Sequence, residues 1–516
     1  MLEPQNNNIA MYRPGYVERT IHALPFGLAA RLSPVFSGGN LKARSMRGAA
    51  LTLAGFGGSQ VLRLGSNLIL TRLLAPEAFG LMALVNVFLQ GLEMLSDLGV
   101  YASIIQSERG DDPVFLRTAW TLGVIRGFLL WLFACAIAWP ASVFYEEPVL
   151  AYMLPVSGLC TLISGLQTTA IAQYNRHMKL GALTCLQLLT QAITLFGVIF
   201  LAWQIRSVWA LVLGGVIGAG ANVLLSFWLL SGVKHHFTLD RICMTEIVRF
   251  GKWLFLATAF AFLAGQSDRL ILAKLVGPAT LGIYSIAFML TAAVAATFSR
   301  LNSAVVYPLF SQYAREEPAR FSQRFEQTRR LTTQGMMGLS LLVASVAPLF
   351  FETLYDDRYR EAGWMTQLLL LPTWIDGLNC SLNAALLAMG ASFASALMNA
   401  AKLLVSTVCV IAGFYLAGIP GLIMGVAAGH LVANLILHSL LAQFGIRVWR
   451  QDLEFCLLFV IGGSLVGLMC HASKFALLGP HAEVIAAVSG MGLVAIGGLL
   501  AYSAWQRIHS IGARNI

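Results

Sequence analysis

Arg72-Leu73-Leu74-Ala75-Pro76-Glu77-Ala78-Phe79-Gly80 is repeated later in the chain as Lys274-Leu275-Val276-Gly277-Pro278-Ala279-Thr280-Leu281-Gly282. Pro278 follows Pro76 at an offset of 202 residues, and the nine positions align without a gap. Proline fixes φ and glycine frees the backbone, so each copy predicts a turn between two helices. A repeat at a fixed offset indicates that the chain contains two homologous halves.

Composition places the 516-residue chain in a membrane. It is 58% hydrophobic and 11% charged, with a mean hydropathy of +0.74, whereas soluble domains carry about 25% charged residues. The net charge of +10 could indicate a nucleic-acid partner, but the cations lie in short loops between apolar runs. Loops retained in the cytoplasm explain them better, and we expect no nucleic-acid partner.

Cysteine and motif patterns exclude several classes of protein. The eight cysteines lie mostly in apolar segments and lack a C-x-x-C pair, so we expect reduced thiols, no disulfides and no metal site. No loop is large enough for a nucleotide-binding or glycosyltransferase domain, and the glycine-lysine phosphate loop is missing. The sequence therefore predicts neither an enzyme nor a cofactor.

Apolar runs of roughly 20 residues, the length that crosses a bilayer, follow one another from Arg47 onward. They predict an all-α fold of about fourteen transmembrane helices. We place these at 48–74, 78–104, 114–140, 149–170, 181–204, 208–230, 251–276, 280–309, 331–355, 362–388, 393–416, 419–443, 454–474 and 482–505.

Charge asymmetry orients these spans. With the N-terminus inside, 23 Lys and Arg residues, among them those of 315–330, fall in inner segments and 6 in outer ones. This follows the positive-inside rule, so both termini are expected in the cytoplasm. The repeat offset covers six spans, and an even number preserves direction, so the halves are parallel repeats.

The expected domain organisation follows from these spans. It comprises a cytoplasmic N-terminal segment (1–46), an N-lobe (47–231), a cytoplasmic linker (232–249), a C-lobe (250–445), and two additional helices with a short tail (446–516).

Nine charged residues lie more than one helical turn inside the predicted spans. They are Arg63, Glu93, Asp97, Arg126, Asp268, Arg269, Arg300, Asp376 and Lys402. A charge near the bilayer centre costs about 2.5–3.5 kcal/mol on insertion scales, so such residues face a bundle interior or a water-filled cavity. Their number favours a polar cavity over one isolated ion pair.

The second span carries the clearest polar pattern. Asn86, Gln90, Glu93 and Asp97 are spaced by four, three and four residues, which places them on one helical face. This face either lines a cavity or packs against neighbours, with Glu93 or Asp97 paired to Arg63 or Arg126. A carboxylate here could also take up H⁺ or Na⁺.

Other polar residues leave alternatives open. Asp268 and its neighbour Arg269 are suited to a gate-like salt bridge with another span or to a substrate contact. Arg300 is suited to reaching the cytoplasmic headgroups. His430 and His438 are interpreted as helix-packing residues.

The two halves, each opening with this motif between two spans, resemble the polysaccharide transporter family of the MOP flippase superfamily. The resemblance is closest to Wzx-type O-antigen and exopolysaccharide flippases. It is carried by Leu70-Thr71-Arg72 with the rest of the first motif, by Asp97-Leu98-Gly99, and by Ser267-Asp268-Arg269-Leu270-Ile271-Leu272.

The resemblance implies movement of an undecaprenyl-pyrophosphate-linked oligosaccharide across the bacterial inner membrane by alternating access of two lobes. It also implies membrane lipids, a polysaccharide polymerase and a chain-length regulator as partners. The expected cavity residues are Arg63, Asn86, Gln90, Glu93, Asp97, Arg126, Arg269, Asp376 and Lys402. Arg63, Arg126 and Lys402 could bind the pyrophosphate, because Arg and Lys donate charge-assisted hydrogen bonds to phosphate.

Three alternatives compete with this interpretation. A lipid II flippase is the nearest. A MATE-like drug exporter would suit an acidic or aromatic cavity, whereas five cations stand here against four carboxylates. A membrane-embedded transferase would need a catalytic His/Asp group at a membrane face, and the sequence offers none.

Overall fold

The computed structural model describes residues 41–95, 100–316, 320–391 and 393–474. All regular structure in these ranges is helical. The α-helices are α1 Leu41–Leu73, α2 Pro76–Leu95, α3 Val100–Gln106, α4 Pro113–Tyr145, α5 Leu150–Gly165, α6 Ala170–Arg176, α7 Leu180–Ile205, α8 Trp209–Leu229, α9 Arg241–Leu301, α10 Tyr307–Glu316, α11 Phe321–Leu354, α12 Ala362–Ala388, α13 Phe393–Gln443 and α14 Trp449–Lys474.

Two of these helices are each two rods joined at a break. Within α9, Gly277 has φ +78° and precedes Pro278; within α13, Gly418 has φ +63° and is followed two residues later by Pro420. The left-handed region is readily available to glycine alone, so these breaks mark the ends of separate spans.

Most of the predicted spans up to residue 474 coincide with one helical rod, but the span 78–104 covers both α2 and α3, and the span 149–170 covers α5 and the bend before α6. The predicted span 482–505, the tail and almost all of the N-terminal segment lie outside the described residues, so the total of fourteen stays a prediction. Among the described helices, seven are long and apolar enough to cross a membrane, or eight if α5 and α6, bent by 59°, form one span. The fold is an all-α membrane fold of two parallel six-helix lobes.

The two copies of the repeated motif pack directly against each other. A Cβ atom added at Gly80 would overlap the Pro278 carbonyl oxygen and lie 2.7 Å from its carbon. A Cβ atom at Gly282 would overlap the Pro76 carbonyl oxygen and also lie 2.7 Å from its carbon. The lobes therefore meet with backbone against backbone, about a local two-fold relation. We call this contact the motif junction.

A shared hydrophobic core continues from the motif junction. Leu74 and Phe79 of the N-lobe pack in one cluster with Leu281, Tyr284 and Tyr359 of the C-lobe. Among the described residues, none of the other four clusters joins the two lobes: residues after 445, including side chains of α14, pack with the C-lobe, and the start of α9 packs on the N-lobe. The motif end of the bundle is therefore where the lobes are sealed together by apolar packing.

Helix α14, outside the repeat, is anchored to the C-lobe through a buried ion pair. Arg329 of α11 is fully buried and contacts Asp452 of α14 with both terminal nitrogens. His438 Nε2 lies 2.8 Å from the same carboxylate. Arg329, which the sequence placed among the cations of an inner segment, is a buried helix residue: α11 begins at Phe321, and Arg329 lies in its interior.

Candidate functional site

Helix α2 is a largely buried helix with one exposed polar face. Leu84, Val85, Val87 and Leu89 are at most 9% exposed, whereas Asn86, Gln90 and Glu93 are exposed. The fourth member of the predicted stripe, Asp97, lies outside the described residues.

This face lines a cavity of about 410 Å³ that belongs to the N-lobe alone. Helices α5 and α8 supply the other walls. The lining residues are Met82, Asn86, Leu89, Gln90, Glu93, Ser157, Cys160, Val212 and Gly215. We call this space the N-lobe cavity. Sequence analysis did not single out Ser157 and Cys160, because small residues in an apolar span are typical of helix packing.

Arg126 of α4 lies beside the end of this stripe. Its Nη2 donates a 2.7 Å hydrogen bond to the backbone oxygen of Glu93. The structure thus brings together Glu93 and Arg126, one of the pairs that the sequence left open.

A polar bridge joins the N-lobe cavity to the C-lobe. Gln266 Nε2 donates to Gln90 Oε1 at 2.8 Å, and Arg269 Nη1 donates to Gln266 Oε1 at 2.9 Å. The Arg269 guanidinium also lies 3.9 Å from the ring centre of Phe288. Arg269 therefore reaches the cavity wall through Gln266.

Asp268 has a different role from its neighbour. It is 7% exposed and accepts a 2.7 Å hydrogen bond from the hydroxyl of Tyr284 in the following rod of α9. This bond fixes the two rods of α9 to each other. The contact is a hydrogen bond from an uncharged hydroxyl of the next span of the C-lobe, and not the gate-like salt bridge that was one of the two alternatives left open by the sequence.

A second charged cluster lies in the C-lobe. Asp376 of α12 has a side chain that is 51% exposed, and its Oδ1 lies 3.3 Å from Lys402 Nζ and 2.9 Å from His430 Nδ1. The Lys402 and His430 side chains are 14% and 9% exposed. The carboxylate of Asp376 is thus exposed, whereas the Lys402 and His430 side chains that contact it are mostly buried. His430 is a member of this cluster that sequence reasoning missed.

Arg63 is exposed on α1. It is seven residues from Phe56 and four from Asn67, which places all three on one face of the helix. Asn67 Nδ2 contacts Met289 Sδ, and Arg300 lies 3.9 Å from the ring centre of Phe56. Because both neighbours contact the C-lobe, Arg63 points towards the seam between the lobes. Arg300 packs on an aromatic ring in this seam.

Matching polar contacts surround the motif junction. Lys274 Nζ lies 2.7 Å from Glu146 Oε1, and in the related position Arg72 Nη2 donates to the Leu354 carbonyl at 3.3 Å. The hydrogen bond and charge of Lys274 hold the pKa of Glu146 below its ordinary value. We call these two contacts the junction latch. Each one links a motif to the end of a helix in the opposite lobe.

The described residues contain no group of three or more His, Cys, Asp or Glu side chains that could hold a metal ion. The seven cysteines whose side chains the structure describes are free. The polar groups near the seam instead donate and accept hydrogen bonds, with cations and carboxylates on both lobes.

Comparison with known proteins is consistent with this arrangement. The family described as "Polysaccharide biosynthesis protein" matches residues 69–363, which is more than half of the chain. The chain is 24% identical over 262 residues to the amylovoran biosynthesis protein AmsL of Erwinia amylovora. That match covers 49% of this chain and 66% of the relative, just under two thirds of its length.

Solved membrane proteins share the fold. The lipid II flippase MurJ, in an inward closed conformation, superposes with a TM-score of 0.64 at 13% identity, over 88% of this chain and 99% of that chain. A point mutant of the Vibrio cholerae MATE transporter VcmN gives a TM-score of 0.53 at 12% identity, over 78% and 97%. At such low identity these likenesses concern the fold alone.

Proposed function

Because the chain belongs to the polysaccharide biosynthesis protein family, we propose that it is a flippase for an undecaprenyl-pyrophosphate-linked oligosaccharide. It moves this lipid from the inner to the outer leaflet of the bacterial inner membrane and is a transporter rather than an enzyme. The observation that carries the proposal is the contrast between a sealed motif junction and the exposed polar side chains of both lobes. Hydroxyl-rich sugars and a pyrophosphate need such groups within a bilayer.

Alternating access requires a contact that closes one end and can separate. The motif junction suits this role, since the lobes touch there through backbone atoms and apolar side chains. The junction latch adds contacts whose members are partly exposed. One is the Lys274–Glu146 ion pair, which is weak where it is exposed to solvent, and the other is a single hydrogen bond to a backbone carbonyl, so the latch does not prevent separation.

The pyrophosphate is proposed to bind among Arg63, Arg126 and Lys402. Arg63 lies on the seam, Arg126 stands beside Glu93, and Lys402 stands behind Asp376. A guanidinium presents a planar fork to phosphate oxygens and an ammonium presents a point charge. Pyrophosphate binding at Lys402 would replace Asp376 as its partner.

Coupling to H⁺ or Na⁺ is proposed at a carboxylate of the polar face of the second span. Glu93 is the described candidate, and Asp97 lies outside the described residues. If Glu93 exchanges a proton, Glu93→Gln keeps substrate binding but removes the dependence of transport on the ion gradient.

Reconstitution tests the function. Lipid-linked oligosaccharide extracted from a strain lacking the protein is placed in vesicles with and without the purified protein, and the sugar exposed outside is measured with an impermeant lectin. We expect the protein to increase the lectin-accessible fraction. An increase for lipid II with none for the extracted lipid would reassign the protein as a lipid II flippase.

The proposed orientation has its own test. Glu147 and Asp357 lie near the motif end, which we place outside, and Lys179 and Arg324 lie in segments that we place in the cytoplasm. Cysteine at the first two positions should react with an impermeant thiol reagent in intact cells. Reaction of the Arg324→Cys variant would show that the protein has the opposite orientation in the membrane.

A further inference from the structure

We infer that the N-lobe cavity is a sugar-binding pocket that holds a residue of the oligosaccharide apart from the pyrophosphate. This inference rests on the proposed function and adds to it a division of the substrate between two places. The cavity recognises sugar hydroxyls, and the cations Arg63, Arg126 and Lys402 lie outside its lining, with Arg126 at the cavity edge beside Glu93.

The lining has the donor and acceptor set that a sugar requires. Asn86 and Gln90 each offer an amide donor and an amide acceptor, and Glu93 offers acceptors. These three side chains lie on one face of α2, so they present a row of polar groups to a ring. Met82, Leu89 and Val212 supply apolar surface opposite the C–H groups of a sugar.

A buried hydroxyl in the wall supports a polar occupant. Ser157 is 1% exposed and lines the cavity, and its Oγ has no hydrogen-bond partner among the described residues. Buried polar groups are almost always hydrogen-bonded, and one left unpaired is destabilising. A ligand hydroxyl or a water in the cavity would satisfy it.

The size of the cavity suits a sugar as its occupant better than a bare ion. Its volume of about 410 Å³ corresponds to roughly fourteen water molecules at about 30 Å³ each. It also falls within the range of about 300–1,000 Å³ typical of small-molecule pockets. A bare Na⁺ would leave most of this space empty.

The charge of the cavity lining is unsuited to the pyrophosphate end of the substrate. Glu93 is the one charged residue among the lining side chains, and its carboxylate would repel a pyrophosphate placed inside the cavity. A neutral sugar meets hydrogen-bonding groups instead. Arg126, which donates to the Glu93 backbone oxygen from outside the lining, leaves the pyrophosphate a place at the cavity edge. The sugar and the pyrophosphate are thus recognised by different surfaces.

The pocket is also connected to the C-lobe. Gln90 Oε1 accepts the inter-lobe hydrogen bond from Gln266. A sugar hydroxyl that bonds to Gln90 competes with this bond, so an occupied pocket loosens one contact between the lobes.

The test measures binding of two lipids to purified protein in nanodiscs. One is the lipid-linked oligosaccharide extracted from a strain lacking the protein, and the other is undecaprenyl pyrophosphate without sugar. Asn86→Ala, Gln90→Ala and Ser157→Ala should each weaken binding of the first lipid roughly two- to tenfold, the effect of one neutral hydrogen bond. Binding of the second lipid should change less than about twofold.

Gln191→Ala is the matched control for Gln90→Ala. Gln191 is a polar side chain of the same lobe that lies outside the cavity lining and bonds to Ser59. This variant should bind both lipids like the wild type.

A second measurement needs no pocket variant. Alkylation of Cys160 by N-ethylmaleimide, followed by mass spectrometry, should be slowed by the sugar-bearing lipid and not by undecaprenyl pyrophosphate. Cys409 of the C-lobe, outside the cavity lining, is the internal reference.

The outcomes separate the two proposals. If the pocket variants weaken binding of both lipids equally, or of neither, the sugar-pocket inference is wrong and the flippase proposal still stands. Equal protection of Cys160 by both lipids leads to the same conclusion. Wild-type protein that binds neither lipid overturns the flippase proposal and the pocket together.

Discussion

Gly80 and Gly282 occupy equivalent places in the two lobes, and each packs against the proline carbonyl of the other copy of the motif. A helix start that touches another backbone cannot carry a side chain at the point of contact. The glycine that ends each copy of the repeat is thus required by the close approach of the partner copy.

Gly80→Ala is expected to open the motif junction. The added methyl group meets the backbone of Pro278, which cannot move aside like a flexible side chain, and overpacking of this kind costs about 1–3 kcal/mol. Ala78 is 8% exposed at the junction, so a cysteine placed there reports on opening. We expect Ala78→Cys to react with a thiol reagent at least about fivefold faster in the Gly80→Ala background.

Gly65→Ala provides the control for this effect. A Cβ atom at Gly65 has no atom within 4 Å to meet, so the labelling rate should stay at its wild-type value. Equal rates in the Gly80→Ala and Gly65→Ala backgrounds would show that the junction does not depend on close backbone contact.

Local pattern was enough to predict the spans and the polar face of α2. Helical periodicity depends on neighbouring residues, so the spacing of Asn86, Gln90 and Glu93 places them on one face whatever surrounds the helix. The repeat likewise predicted two lobes. The sequence did not predict that the two copies of the motif touch each other. A fixed offset shows that two segments are equivalent in sequence, but not that they are close in space.

Partners that are distant in sequence could not be predicted. Arg329 has Arg330 and Arg324 nearby, which is typical of a cytoplasmic loop, but its partner Asp452 is 123 residues away. Lys402 and Asp376 were both assigned to the cavity, and only the packing of α12 against α13 brings them within 3.3 Å. The size and walls of the N-lobe cavity depend on three helices together.

Lys402 is expected to serve the substrate as well as Asp376. Lys402→Gln leaves the carboxylate of Asp376 with His430 alone, so it should lower both membrane abundance and polymer export. Adding Asp376→Asn removes the uncompensated charge and should restore abundance. Export should remain about ten- to a hundredfold below wild type, because a charge-assisted hydrogen bond to phosphate is lost. Export that returns to the wild-type level in the double variant would limit Lys402 to a structural role.

The Arg329–Asp452 pair is expected to hold α14 on the C-lobe. Arg329→Met should destabilise the protein by about 3–5 kcal/mol, because it removes the guanidinium partner of a buried carboxylate. Replacing both, as Arg329→Met with Asp452→Leu, should recover much of the loss. Thermal unfolding in detergent measures the effect.

The exposed ion pair Arg358–Asp356 is the control for the buried Arg329–Asp452 pair. Its members are 44% and 34% exposed, so Arg358→Met should change stability by about 1 kcal/mol or less. If Arg329→Met lowers Tm no more than Arg358→Met does, the buried pair is not what anchors α14.

The linker between the lobes is expected to detach from the N-lobe as the pH falls. His235 stacks on Trp120 with ring centres 5.3 Å apart, and its Nε2 lies 2.9 Å from the hydroxyl of Thr168. Burial first, and the positive charge of Arg117 second, hold the pKa of His235 below its ordinary value. The docked linker thus favours neutral imidazole. Its stability is fully present above a pH of about 6.5, the ordinary pKa of histidine, and is lost as the pH falls towards the lowered pKa.

Hydrogen exchange of residues 232–240 measures this detachment. Within that window one proton is taken up on opening, so the opening equilibrium should rise by up to about tenfold per pH unit, after correction for intrinsic exchange. His235→Gln should remove the pH dependence, whereas His236→Gln, which changes the exposed neighbouring histidine, should retain it. Because the linker connects the two lobes, its release at low pH would free the start of α9 to move with the C-lobe. A pH dependence that survives His235→Gln would assign the proton to another group.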